Sequence, residues 1–154
     1  MKIARSKYDV FVEIVCLLCI IGVFIYLVIA WPNIPTEVPG HYNAVGEVDR
    51  ITKKDSLIVL PIVTLIMYIG LSILIKFPQA WNTGVRVTEE NRERVYRILK
   101  NMLNTTKLLV VLGFTYITVN SIMAKPLHIL FLPIYLSLMF GSLIYFIVKL
   151  VKAR

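Results

Sequence analysis

The sequence predicts an all-α integral membrane protein with four transmembrane helices, both termini in the cytoplasm, and a long amphipathic cytoplasmic extension before the third span. Three observations carry that expectation. Hydrophobic residues fill 58% of the 154 positions and charged ones only 17%, unlike a soluble domain that needs a polar surface. Four apolar runs have the length of a hydrocarbon core, roughly 20 helical residues each. The basic residues concentrate on alternate sides of those runs, as topology in a bilayer requires.

The spans are expected at about 11–31, 57–75, 108–123 and 127–148, in one four-helix domain covering 1–154. Helix is the assignment because lipid offers no partner for unpaired backbone groups and the runs lack the alternation of a barrel strand. The first run follows the basic start Lys2, Arg5, Lys7 and ends in Ala30-Trp31-Pro32 with no small-x-small cleavage site, so it reads as a retained span rather than a signal peptide. Cys16 and Cys19 lie inside it and cannot staple a loop.

Orientation follows from lysine and arginine. Lys76, Arg86, Arg92, Arg94, Arg97, Lys100 and Lys107 lie between spans two and three, and Lys149, Lys152 and Arg154 follow span four, whereas the other two loops hold only Arg50, Lys53, Lys54 and Lys125. The rule that basic loops stay inside places both termini and the middle segment in the cytoplasm. The formal charge of +8 therefore reads as topology rather than as a nucleic-acid footprint.

In the middle segment Thr88 is the expected N-cap, with Glu89, Glu90 and Glu93 where the helix dipole favours acids. Val95, Ile98, Leu99, Met102 and Leu103 then form one apolar stripe. The spacing predicts an amphipathic helix over 88–106, running into span three as one long helix or joined to it near Asn104. It lies at the headgroups, against the bundle, or against a protein partner. Pro61 and Pro133, the latter about two turns into its span, are candidate kinks.

Residues 32–56 form the outer loop. Pro32, Pro35 and Pro39 restrict its backbone and Gly40 and Gly46 allow turns, so the loop can hold side chains in place. His41, Asn43, Glu47, Asp49 and Lys54 are its candidate ligand-binding residues. A cap whose ion pairs only order the loop is the plainer reading. The narrower proposal is a metal ion on His41, Glu47, Asp49 and His128, since two histidines with carboxylates suit zinc. No other cofactor is implied. A second cluster, Asp9, Glu13, Cys16 and Ile20, shares one face of span one. Glu13 sits near the boundary of the hydrocarbon, where a carboxylate must be paired, protonated or wetted. It reads either as part of a proton or cation relay or as a carboxylate that snorkels or pairs with Arg5 or Lys7.

The stretch Ile34-Pro35 through Gly40-His41-Tyr42-Asn43, then Gly46-Glu47-Val48-Asp49-Arg50 and Lys54, resembles a bacterial and archaeal membrane domain of unknown function that also forms the N-terminal part of SdpI-type immunity proteins. The similarity extends through span two to Pro78, Trp81-Asn82 and Thr88-Glu89-Glu90-Asn91. No nucleophile-base-oxyanion arrangement, phosphate loop or dinucleotide fingerprint is present, so the chain reads as non-enzymatic. The resemblance implies an immunity or stress-response role, and with it the chain is expected to be a cell-membrane protein that recognises a peptide, toxin or envelope ligand at its outer loop and signals inward. The partners implied are membrane lipids, that outside ligand, a cytoplasmic protein and a second copy of the chain, with no nucleic acid. The alternative is a small oligomeric transporter or channel subunit, whose mark would be Glu13 facing a wet cavity continuous with the outer site.

Overall fold

The first helix begins one residue after Ser6, and its start is built by reciprocal hydrogen bonds. Ser6 Oγ accepts from the Asp9 amide at 3.1 Å and Asp9 Oδ2 accepts from the Ser6 amide at 2.8 Å, a capping box that satisfies two otherwise orphaned donors. The protein is described by a computed structural model covering residues 3–154. Lys2, counted above in the basic start, lies outside the described residues. Helix α1 (Lys7–Ala30) buries Asp9, Val12, Cys16, Ile20, Val23 and Leu27, the i, i+3, i+4 face expected from the sequence. Its other faces leave large apolar side chains uncovered, Val28 at 72% and Leu18 at 66% exposure, as a lipid-facing helix does.

Helices α2 (Val59–Lys76), α3 (Arg92–Ile122) and α4 (Phe131–Lys152) follow. Among the described residues, α1 to α4 are the four helices long and apolar enough to cross a membrane, so the chain is a multi-pass membrane protein. Pro61 and Pro133 each occupy the third position of their α-helix, in the first turn, where proline is tolerated. Pro133 falls in the first turn because α4 starts at Phe131, four residues later than the hydropathy of 127–130 suggested.

Helix α3 is the axis of the fold. Its 31 residues span about 46 Å at 1.5 Å per residue, more than a ~30 Å hydrocarbon core. The amphipathic stretch and the third span are thus one helix. It starts at Arg92 rather than Thr88, which instead closes the preceding turn: Thr88 Oγ1 accepts from the Asn91 amide and Asn91 Oδ1 from the Thr88 amide. Helices α1, α2 and α4 all pack on α3, while α2 and α4 make no substantial contact with each other among the described residues. At the end carrying the N-terminus, the stripe Val95 and Leu99 is covered by Leu150 and Ala153 of α4's tail and by Trp81, Val85 and Val87. This part of the apolar stripe is thus packed against the chain's own segments.

The segment 32–56, expected as a loop in an all-α chain, contains an antiparallel hairpin of β1 (Glu37–Tyr42) and β2 (Val48–Lys53). Its turn closes through Gly46 amide to Asn43 carbonyl at 3.0 Å, with Asn43 Oδ1 accepting from the Val45 and Glu47 amides. Gly46 has φ 87°, the left-handed residue that a three-residue hairpin loop demands. A Cβ there would also lie 2.6 Å from the Leu127 carbonyl oxygen, so the turn sits directly on the α3–α4 connection. Pro39 is tolerated because every strand of a two-stranded sheet is an edge. Val38, fully buried, packs with Ile34, Leu57, Leu27 and Ile122 and seats the hairpin on the end of the bundle.

Candidate functional site

At the hairpin end two bulges set the side chains. The pairing runs Pro39 to Ile51, His41 to Arg50 and Tyr42 to Val48, leaving Gly40 extra on β1 and Asp49 extra on β2. Such insertions re-aim side chains, and here Asp49 turns to His41, with Oδ1 2.6 Å from Nδ1. Gly40 is required by space, since a Cβ would come within 2.8 Å of the Thr52 side chain. Asn43 Nδ2 donates to Glu47 Oε2 at 3.1 Å, so this carboxylate serves the turn. Lys54 is used differently again. Its ammonium donates to the carbonyls of Trp31 and Ile34 and stands over the Trp31 ring, which caps the end of the first span with a cation where the helix dipole favours one.

Tyr42 links the hairpin to α3. Its hydroxyl donates to the Lys125 carbonyl at 3.1 Å and bonds Ser121 Oγ at 3.0 Å. Burial pushes the phenol up from its ordinary value, against the opposing Ser121 hydrogen bond, so at neutral pH it stays a donor.

Below the hairpin lies a cleft of about 890 Å³, within the size range of small-molecule sites. Its mouth carries His41, Asn43 and Arg50, and its interior Leu60 of α2, Ile117 of α3 and Leu132 of α4. The cleft exists because α2 and α4 stand apart on α3 while the hairpin roofs the gap. Of the five ligand-binding residues expected, His41 and Asn43 line it, whereas Glu47, Asp49 and Lys54 act behind the lining. Tyr42, Arg50, Thr118 and Ser121 belong to the lining and were not anticipated.

The four-residue metal set is not assembled. Among the described residues no group of three or more His, Cys, Asp and Glu side chains converges where an ion could bind. His128 Nδ1 accepts from the Leu130 amide at 3.2 Å and its side chain borders a different groove, between α3 and α4. It closes the turn before α4 and does not line the cleft that His41 borders.

A second polar grouping sits inside the bundle near the opposite end. Lys100 Nζ donates to Asp9 Oδ2 at 2.8 Å and Asn104 Nδ2 to Asp9 Oδ1 at 2.9 Å. Lys107 Nζ donates to Glu13 Oε2 at 2.8 Å and to Ser72 Oγ at 3.2 Å, and Tyr68 donates to Glu13 Oε1. Glu13 thus faces the bundle and is paired, but with Lys107 rather than with Arg5 or Lys7. Lys107, read from the sequence as a loop cation, is only 2% exposed. Towards the hairpin the network is closed by Val12, Cys16, Ile20 and Val111. The void beyond them measures only about 10 Å³, room for one water at most. Glu13 therefore does not open onto the cleft, and the feature that would mark a transport path through one chain is missing among the described residues.

The hairpin is also where this chain touches known families. A family model described as a domain of unknown function, DUF1648, matches residues 17–65. The matched segment runs from α1 to the first turns of α2 and encloses the hairpin, His41, Asp49 and Lys54. The Asp9, Glu13, Lys100 and Lys107 network lies outside it. Neither a curated protein nor a solved structure matches the chain.

Proposed function

We propose that this is a non-enzymatic protein of the cell membrane that recognises a peptide, toxin or envelope ligand in the cleft under its hairpin. The observation that carries the reading is the cleft itself: a polar, cationic mouth on a bulged hairpin above an apolar interior contributed by three different helices. Several polar groups converging on one large apolar pocket is the usual form of a binding site. The likeness of the 34–54 motif to the N-terminal part of SdpI-type immunity proteins adds the class of ligand, an agent acting on the envelope. The hairpin end faces outward in this proposal. It holds Arg50, Lys53, Lys54 and Lys125, against Arg86, Arg92, Arg94, Arg97, Lys149, Lys152 and Arg154 at the other end.

Inward signalling is the second part of the proposal, and the reach of α3 supports it. Helix α3 contributes Ile117 and Thr118 to the cleft and Val95 and Leu99 to the cluster that holds the tail of α4. A ligand that spreads α2 from α4 shifts α4 on α3 and disturbs that cluster at the cytoplasmic end.

Filling the cleft tests the reading. Ile117→Trp and Leu60→Trp put an indole into open space rather than into packed core. In expression-matched cells challenged with membrane-active peptides, each variant is expected to accumulate normally and to lose at least tenfold in protection relative to the unaltered chain. Full protection from both filled variants contradicts recognition in the cleft.

A further inference from the structure

We propose that the cleft is a lateral lipid site, taking an anionic phospholipid from the surrounding bilayer with its phosphate at Arg50 and His41 and an acyl chain in the gap between α2 and α4. This deepens the reading above and rests on the cleft being the recognition site.

Position comes first. The cleft's walls include Val59 and Leu60 from the first turn of α2 and Phe131 and Leu132 from the first turn of α4. These are the levels at which two spans enter the membrane, so the cleft lies where headgroups meet chains. Because α2 and α4 do not pack together, the gap between them is open sideways to lipid rather than only upward to water. A soluble ligand would have to displace chains from it, whereas a lipid enters by diffusing in the plane.

The polarity runs the same way. Arg50, His41 and Asn43 stand at the hairpin, Ser121 and Thr118 lie between, and Leu60 and Ile117 form the apolar part. That order matches a phosphate, an ester region and a chain. The charge is selective as well. No aspartate or glutamate lines the cleft, and among the described residues Arg50 makes no ion pair. Asp49, its neighbour in sequence, is engaged with His41 through the β2 bulge. A guanidinium with unused donors suits a phosphate, which it can bind through two parallel hydrogen bonds. A strongly cationic peptide would meet like charge at the same mouth.

The test uses the full chain reconstituted in phosphatidylcholine vesicles with a trace of diazirine-acyl phosphatidylglycerol or, separately, diazirine-acyl phosphatidylcholine. Photolabelled residues are then mapped by mass spectrometry. The expected result is labelling at Leu60, Ile117 and Leu132 that is at least fivefold greater for the anionic lipid, falls to the phosphatidylcholine level in Arg50→Gln, and disappears in Ile117→Trp. Excess soluble glycerol phosphate leaves it unchanged, which separates a lipid headgroup from a free phosphate. Equal labelling by both lipids, labelling spread evenly over lipid-facing residues such as Leu18 and Ile144, or displacement by glycerol phosphate overturns the proposal. If the anionic lipid shows no preference while Ile117→Trp still abolishes protection, the lipid proposal fails and recognition of another ligand, a peptide included, stands. If labelling behaves as expected while the filled variants protect fully, recognition fails and the lipid site remains.

Discussion

The two ends of the bundle handle charge in opposite ways. Near the N-terminus, Asp9 and Glu13 are matched to Lys100 and Lys107 at 2.8 Å, with side-chain exposure of 7% and 11% for Asp9 and Lys100, and 32% for Glu13 against 3% for Lys107, so the second pair is buried mainly on the lysine side. At the hairpin, His41 and Asp49 are as close, 2.6 Å, but 57% and 42% exposed. Equal distances do not mean equal energies. An ion pair in water is worth at most about 1 kcal/mol, whereas breaking a buried one leaves an uncompensated charge at a cost of about 3–5 kcal/mol. The interior pairs are therefore parts of the helix packing, whereas the hairpin pair contributes little to stability, which is compatible with the ligand-binding role proposed for it.

This contrast depends on the hairpin and the interior network belonging to opposite ends of a membrane-crossing bundle, which labelling can break outright. With Cys16 and Cys19 replaced, single cysteines at Ala44 and Lys125 should react with an impermeant maleimide added outside, and one at Thr83 should not. External reaction at Thr83 alone would invert the orientation and place the cleft in the cytoplasm.

Next in size is the loss of one interior partner. Glu13→Gln leaves the Lys107 ammonium buried with only neutral acceptors. It should lower stability by about 3 kcal/mol, the low end of the range for a broken buried pair because the amide oxygen still accepts. Reduced membrane accumulation and a lower melting temperature in detergent are the readouts. A variant as stable as the parent would show that water reaches Lys107 and that the pair is not a structural element.

The smallest stability effect belongs to the hairpin, where His41→Ala and Asp49→Asn should each cost under ~1 kcal/mol and leave accumulation unchanged. Their functional effects should differ. His41 lines the cleft and its removal should lose most of the protection, while Asp49 only orients the ring and its amide keeps a hydrogen bond, so the loss should be partial. Unchanged protection in His41→Ala would confine recognition to the apolar interior.

The spans were legible because their signal is compositional: four helices fall where four apolar runs lie, and the α1 face through Asp9, Cys16 and Ile20 packs as its spacing implied. The start of α4 was not legible, since Leu127, Ile129 and Leu130 are apolar while serving as a turn closed by the His128 side chain. The hairpin was hidden by its own prolines and glycines, which read as loop and in fact mark an edge strand and a bulge. His41 and Asn43, which line the cleft, stand out in the sequence because the motif is dense in polar residues. Arg50, Ser121 and the helix walls were missed because the cleft is made by α2 and α4 standing apart, a tertiary fact that no local pattern carries. The partners of Asp9 and Glu13 did leave a trace: Lys100, Asn104 and Lys107 repeat at i, i+4 and i+7, the same helical face spacing as the acids they meet. Reading those lysines only as loop charge for topology concealed it.

The division of labour between the two ends is tested most directly by neutralising the interior pair altogether. In Glu13→Gln/Lys107→Met neither partner of this pair is left as an uncompensated charge, the Asp9–Lys100 pair is untouched, Tyr68 keeps an acceptor, and replacement of a buried pair by neutral groups is commonly neutral or stabilising. Protection by expression-matched cells should then equal that of the unaltered chain, at equal membrane accumulation. Normal accumulation with protection lost would contradict the account, moving function from the cleft to the Glu13 and Lys107 pair and restoring the case for an ion pathway through the bundle.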